Sequence, residues 1–397
     1  LSRQAMAPTV DLGVVEAATA AVDRVALGAD QDEALIAIAA SGRIVDLLIG
    51  PAGAGKTTAM RALRAAWETQ HGPGSVVGLA PSATAAAVLG GDLGIATENT
   101  AKWLADHDRC GAAFREGQLV IVDEASLAGT FTLDRIAGLA AEAGAKVLLA
   151  GDWAQLQAVE AGGAFSLLAA DRDDAPELFD IHRFRHDWEK AASLGLRHGH
   201  VEAIDAYQAH GCAHDGDSET MHDAAYAAWR QDLAAGLSSA LVADDRRTVA
   251  ALNARAREDR IRTGVVDPGR SIGLAEGTSA SVGDLVITRR NDRRLTAGKT
   301  GWVRNGDRWT VTAIHDDGSV AARRAGYTRG ATVVLPTAYA AERLDLGYAV
   351  TGHGAQGVTV ETAHVIATSR TARENLYVAL TRGREANRLR RHRHRPG

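Results

Sequence analysis

The sequence predicts an α/β protein made of two parallel-sheet units, with a small antiparallel barrel inserted in the second. Three observations carry this. Across residues 1–190, apolar strand-like runs (IVDLLI, SVVGLA at 75–80, LVIVDE, KVLLAGD at 146–152) alternate with helical stretches, as in a parallel sheet covered on both faces. SSALVAD at 239–245, followed by TVAALNARAREDRI, opens a second unit of the same kind. Residues 265–340 then change texture to short β-type pieces separated by Gly, Asp and Asn turns, the mark of a small barrel. The expected domains are 1–190, 191–264 with 341–397, and the inserted barrel 265–340.

From the N-terminus, VVEAATAAV at 14–22 is interrupted by Glu16 and followed by Asp23, which predicts an amphipathic helix rather than a signal segment. IVDLLI then runs into GPAGAGKTT at 50–58 and the helical pattern AMRALRAAW. Strand, glycine loop and helix in that order make a phosphate-binding loop. Glycines here, Gly50, Gly53 and Gly55 among them, let backbone N–H groups turn toward a phosphate without Cβ interference. Lys56 can reach the β and γ phosphates of a nucleoside triphosphate, and Thr57, with Thr58 beside it, can hold Mg²⁺. The plainer reading, a glycine-rich turn with an exposed lysine, does not explain the flanking strand and helix.

Four apolar residues, Leu119 to Val122, lead into Asp123 and Glu124. That predicts a buried strand with two carboxylates at its C-terminal end, where an open α/β sheet places ligands. Asp123 there can hold the Mg²⁺ shell while Glu124 orients and deprotonates a water; an ordinary acidic helix N-cap is the competing reading. Gln155, just past the KVLLA strand, can hydrogen-bond a γ-phosphate or the attacking water. Residues 188–235 look helical and contain no strand-like run.

With 397 residues, 46% hydrophobic and 23% charged, the chain suits two or three globular domains. No apolar run approaches the roughly 20 residues of a membrane span. Cys110 and Cys212 supply neither metal spacing nor a disulfide framework, and a reducing cytoplasm is the expected compartment. The net charge of −5 leaves room for a local nucleic-acid groove. Arginines crowd positions 382–395, read as a solvated charge run in preference to a phosphate-binding tail.

Taken in order, the motifs resemble superfamily 1 DNA helicases of the RecD-like branch. APSATAA at 80–86 resembles the second motif, GDWAQLQAV at 151–159 the third, IHRFRHDWE at 181–189 the fourth, TGHGAQG at 351–357 the fifth and YVALTRGRE at 377–385 the sixth. RFRHDWEKAASLGLRHG and FREGQLVIVDEASLAGT resemble the helicase part of conjugative relaxases. The resemblance implies two RecA-like P-loop domains plus an SH3-like barrel, with ATP and Mg²⁺ as cofactors, and single-stranded DNA and other conjugation proteins as partners. Movement would run 5′ to 3′. It further implies that Gln31 reads adenine and Gly357 belongs to the nucleotide site. Pro81, Thr84, Thr100, Thr351 and His353 would touch DNA or couple it to the ATP site.

Arginines from the second unit can neutralise γ-phosphate charge, as arginine fingers do; Arg382 is the first candidate and Arg183 the second, with Arg185 close enough to compete. The chain opens at Leu, which leads us to expect an upstream nicking domain, although it contains no relaxase-type tyrosine cluster or three-histidine site. Ser, Thr and Asn in these loops, Asn99 included, are also common caps. Trp302 and Trp309 could stack bases or fill the barrel core. His210, His214, His222, Asp215 and Asp217 read as a solvated loop rather than a metal site. Two further functions stay open: a vestigial fold that binds single-stranded DNA without hydrolysis, and a repair helicase of the same branch.

Overall fold

The computed structural model describes residues 7–21, 27–158, 162–298, 301–327 and 329–392. The chain divides into two compact units, Leu1–His200 and Val201–Gly397.

In the first unit, strands β1 (Val45–Ile49), β2 (Val76–Ala80), β3 (Ala96–Asn99), β4 (Leu119–Val122) and β5 (Lys146–Gly151) form one parallel sheet in the order β1-β5-β4-β2-β3. The three strands β1, β4 and β5 are buried along their whole length, so they are mostly apolar on both faces instead of alternating. Val45, Leu47 and Ile49 pack with Val147 and Val122 on one face, and Leu48 with Leu148 and Ile121 on the other. A buried ion cluster interrupts that core: Asp46 pairs with Lys146 at 2.7 Å and Arg172 at 3.1 Å. Strand β3 went unrecognised in the sequence because ATEN is short, polar and at the sheet edge.

The helix Asp187–His198 crosses the boundary expected at residue 190 and belongs to the first unit. Its buried residues Glu189, Ala192, Ser193, Leu196 and Arg197 lie on one face, the i, i+3, i+4 spacing of a helix packed on a core.

In the second unit, β6 (Ala213–Gly216) and β7 (Ser239–Ala243) are followed by a ribbon of β8 (Asp267–Gly273) and β9 (Ser279–Val282). The presence of β6 corrects the expectation of an all-helical 188–235; four residues are too few to show a period. An antiparallel sheet comes next, made from β10 (Leu285–Thr288), then, after the ribbon β11 (Asp292–Ala297) and β12 (Gly301–Val303), from β13 (Arg308–Ile314), β14 (Val320–Arg324), β15 (Thr332–Leu335) and β16 (Leu344–Leu346). Its order is β15-β14-β13-β10-β16, so its pairing runs past the expected limit at 340. Trp309 is fully buried in its core. Trp302 lies half-buried on the β11–β12 ribbon, with the guanidinium groups of Arg293 and Arg304 over its ring at 4.6 and 4.9 Å.

The chain then adds β17 (Ala349–Thr351), β18 (Val360–Thr368) and β19 (Gly383–His392) to a second parallel sheet, ordered β17-β7-β18-β19-β6. Strand β19 overturns the reading of the arginine-rich run as solvated charge. Asn387 and Leu389 are buried, Arg391 grips Asp215 with two bonds of 2.7 and 2.8 Å, and Arg388 reaches Asp232 at 3.2 Å. Arginine stems cover apolar surface while their heads find acids, which lets a basic segment serve as an inner strand. Arg393 and Arg395 lie outside the described residues. The histidine segment is likewise structural: Asp217 caps the helix Ser218–Ala234 through Thr220 N–H, and His214 meets the Gly211 carbonyl at 3.0 Å.

Candidate nucleotide site

Strand β1 ends at Ile49, and the loop that follows from Gly50 needs glycine for two separate reasons. Gly53 and Gly55 hold positive φ of 88° and 82°, a region costly for residues with a Cβ. Space is also missing: a Cβ on Gly53 would stand 2.4 Å from Arg183 Cβ, and one on Gly55 would stand 2.0 Å from Gln31 Nε2. From Gly55 the helix Lys56–His71 starts directly, so its first N–H groups point into the loop and favour an anion. Lys56 folds back, donating from Nζ to the carbonyls of Gly50 at 2.6 Å and Pro51 at 3.1 Å. Burial pulls its pKa down, while Asp152, then Glu124 and Asp123, support its charge and Arg183 opposes it. Thr57 and Thr58 occupy the first turn, half-buried.

At the end of β4, Asp123 and Glu124 stand side by side. Burial, followed by the neighbouring Glu124 charge, pushes the Asp123 carboxyl up to about 6, while Lys56 pulls it the other way. An acid carboxyl raised by burial and by a neighbouring carboxylate fits a bound cation that would offset that charge. Glu124 is held at φ 52°, ψ 38°, the sole left-handed non-glycine residue among those described. Backbone strain of this kind costs on the order of 1–3 kcal/mol and clusters at ligand-binding and catalytic sites.

At the tip of β5, Asp152 is 2% exposed. Its carboxylate accepts from Ala154 N–H at 3.2 Å and from Gln155 Nε2 at 3.4 Å, so the Gln155 side chain is oriented by Asp152. Gln31 is 4% exposed; its Oε1 accepts from Gly28 N–H at 3.0 Å, and its Nε2 lies 3.4 Å from the Ala54 carbonyl. It braces the phosphate loop. Arg183 also leans on that loop, next to His182, whose N–H donates to the Gly53 carbonyl at 2.9 Å. Arg185 is exposed, which separates the two competing arginines.

Of the expected DNA contacts in the first unit, Pro81 is half-buried just before the helix Ala83–Leu93 and Thr84 half-buried in its first turn. Thr100 is only 4% exposed, packed at the start of the helix Thr100–Cys110, whose cap is Asn99. Within the second unit, Thr351 caps the short helix Gly352–Ala355 through Gly354 N–H at 3.3 Å, His353 is exposed, and Gly357 turns at φ 76°. Arg382 is 2% exposed, with Nε on the Val378 carbonyl at 2.6 Å and Nη2 on the Thr381 hydroxyl at 2.8 Å.

Sequence reasoning passed over Arg197 and Glu177. Arg197 donates from Nε to Asp152 at 3.0 Å and from Nη1 to Glu177 at 2.6 Å. The available signal was an arginine on the apolar stripe of an amphipathic helix, a position that requires buried partners.

The chain matches a family described as an AAA domain over residues 26–218 and a family described as the Rv2311 SH3-like barrel domain over residues 272–345. It is 34% identical over 361 residues to the conjugal transfer protein TraA of Rhizobium radiobacter, covering 90% of this chain and 32% of that protein. It is also 34% identical over 377 residues to a probable TraA of Sinorhizobium fredii, covering 94% and 33%. The chain thus spans about a third of the length of these relatives. Among solved structures, Bacteroides Pif1 helicase in complex with ADP-AlF3 and single-stranded DNA aligns with a TM-score of 0.56 and 17% identity, over 96% of this chain and 92% of that one. These likenesses agree with the α/β fold of two RecA-like units and an SH3-like barrel.

Proposed function

We propose that this chain, which matches an AAA-domain family and is similar to the conjugal transfer protein TraA, is a RecD-like superfamily 1 ATP-dependent helicase or translocase on single-stranded DNA. In this reading it moves 5′ to 3′ and forms the helicase part of a conjugative relaxase. The observation that carries this is the convergence of Asp123, Glu124 and Asp152 on the charge of Lys56 within one loop-and-sheet pocket. A pocket for structural packing alone has no need of a retracted lysine facing three carboxylates.

The residues present fit ATP with Mg²⁺. Bound there, the nucleotide supplies the phosphoanhydride to be cleaved, and the metal supplies charge that offsets the developing anion. Lys56 would exchange the Gly50 and Pro51 carbonyls for phosphate oxygens, and the loop amides around Gly53 and Gly55 would cradle them. Thr57 and Asp123 would hold the metal. Glu124 would accept the proton of the attacking water, and Gln155 would orient that water. Arg183 beside the loop, and Arg382 after leaving its carbonyl partners, would neutralise phosphate charge. Pro81, Thr84, Thr351 and His353 are the proposed DNA-side residues, with Thr100 acting from its packed position.

Relatives named for conjugal transfer support the conjugative assignment, and a fold neighbour holding a nucleotide analogue and single-stranded DNA supports the two ligands. The test is ATP hydrolysis with and without single-stranded DNA over a range of salt. The proposal expects strong DNA stimulation that fades with salt, because phosphate contacts release counterions. Salt-sensitive DNA binding without hydrolysis would instead identify a binding module, and hydrolysis indifferent to DNA a different P-loop ATPase.

A further inference from the structure

We infer that Arg197, which lies within the relaxase-like segment at 183–199 but was given no role from the sequence, is a positioning residue that ties Gln155 and the phosphate loop to the helix Asp187–His198; this rests on the ATPase reading above. Its guanidinium is almost wholly enclosed, with a side-chain exposure of 1%. Burying such a charge is costly unless its partners are well placed. Here they are: Nε donates to Asp152 Oδ1 at 3.0 Å, Nη1 donates to Glu177 Oε1 at 2.6 Å, and the guanidinium carbon lies 4.7 Å from the Trp153 ring centre.

Both acids lead to the nucleotide site. Asp152 orients Gln155 and is the strongest electrostatic support of Lys56. Glu177 forms a parallel bridge with Ile49, the last residue of β1. Around that bridge, Ile49 N–H donates to the Pro176 carbonyl at 2.9 Å and Leu178 N–H to the Ile49 carbonyl at 2.8 Å. Leu178 Cβ then stands 3.2 Å from where a Cβ on Gly50 would lie. One side chain therefore links the tip of β5, the strand entering the phosphate loop, and a helix that ends three residues before the second unit begins at Val201. Asp152 thus shares contacts with Gln155 and with Arg197, so in this reading a change at Gln155 on nucleotide binding is passed to Arg197. Lysine could not replace it, since a point charge neither forks between two acids nor stacks on an indole.

The test uses the whole chain with Arg197→Lys, Glu177→Gln and Trp153→Phe, the last to isolate the Trp153 emission by difference. We expect ATP with Mg²⁺ to change that emission in the wild type, and Arg197→Lys to abolish the change while nucleotide still binds. In steady-state hydrolysis, Arg197→Lys should lower kcat on the order of tenfold to a hundredfold, the scale of a small misplacement of a reacting group, with the KM for ATP within about twofold. Glu177→Gln keeps the Asp152 contact and should give an intermediate loss, which covers the case in which Arg197→Lys does not fold. Nucleotide binding with a silent Trp153, or Arg197→Lys with wild-type kcat and only a lower Tm, would overturn the inference and leave the ATPase reading standing. Failure of the wild type to bind ATP would overturn both.

Discussion

Arg183 and Gly53 are in such close contact that the glycine cannot accept even a methyl group: the added Cβ would lie 2.4 Å from the Cβ of Arg183. The positive φ of Gly53, 88°, adds a backbone cost on the order of 1 kcal/mol for any other residue. Gly53→Ala should therefore weaken nucleotide binding by about tenfold or more and lower Tm, because either the loop or the Arg183 segment must shift. Titration with a fluorescent ATP analogue, alongside a melting curve, checks both effects; wild-type affinity would show that the loop tolerates the added group.

Lys56 rests on two carbonyls of its own loop and is fully available to exchange them for phosphate oxygens. Lys56→Ala should abolish ATP hydrolysis while leaving single-stranded DNA affinity within about threefold, since phosphate contacts to DNA dominate that affinity. Hydrolysis at the wild-type rate would sink the catalytic assignment.

Glu124 carries its strain in the backbone, at φ 52°. Glycine adopts that conformation without penalty, so Glu124→Gly should raise stability by about 1 kcal/mol and at the same time remove hydrolysis. Glu124→Gln should remove hydrolysis without the gain in stability. Thermal melts of the pair decide the point: equal Tm values would mean the strain is not stored where the dihedral places it.

Asp123 makes stability depend on pH in a definite sense. Its carboxyl takes up a proton near pH 6 in the fold, raised by burial and by Glu124, against the ordinary 3.8. Between those values the folded state binds more protons than the unfolded state, so stability falls as pH rises through the window, and the full cost is present above about 6. Asp123→Asn cannot ionise. In metal-free buffer it should raise Tm by several degrees at pH 7.5 and by distinctly less at pH 5. An equal effect at both pH values would place the perturbation elsewhere.

Leu389 is 1% exposed on an inner strand whose neighbours in sequence are arginines. Leu389→Ala should cost about 2–4 kcal/mol, the range for emptying a packed leucine site. Denaturant unfolding of the variant measures it; a cost below about 1 kcal/mol would mean that β19 is not held in the sheet as described.

The phosphate loop and the β4 carboxylates were legible in the sequence because their requirements are local: glycines at fixed offsets, an apolar strand before, a helix after. Arg197 was not, because its role is set by Asp152 and Glu177, which stand 45 and 20 residues away in sequence. Strand β19 was hidden for another reason. Arginines at 384, 388, 390 and 391 dominate the composition and mask the two buried side chains, Asn387 and Leu389, that sit two residues apart and define the period of a strand. The two short strands β3 and β6 have four residues each, and neither carries an apolar alternation. Arg382 was found as a residue, while its embedding among carbonyls could come only from the fold.

The place of β19 between β18 and β6 has a consequence for how the second unit is made. During synthesis β6 emerges early, yet its sheet partner, for example Arg391 opposite Asp215, emerges only after the barrel and all other strands of that sheet. Until then the edges of both β6 and β18 are open, and a nascent chain with two unpaired strand edges is the kind that chaperones hold. Completion of the sheet is therefore a late, long-range closure, slow by contact order.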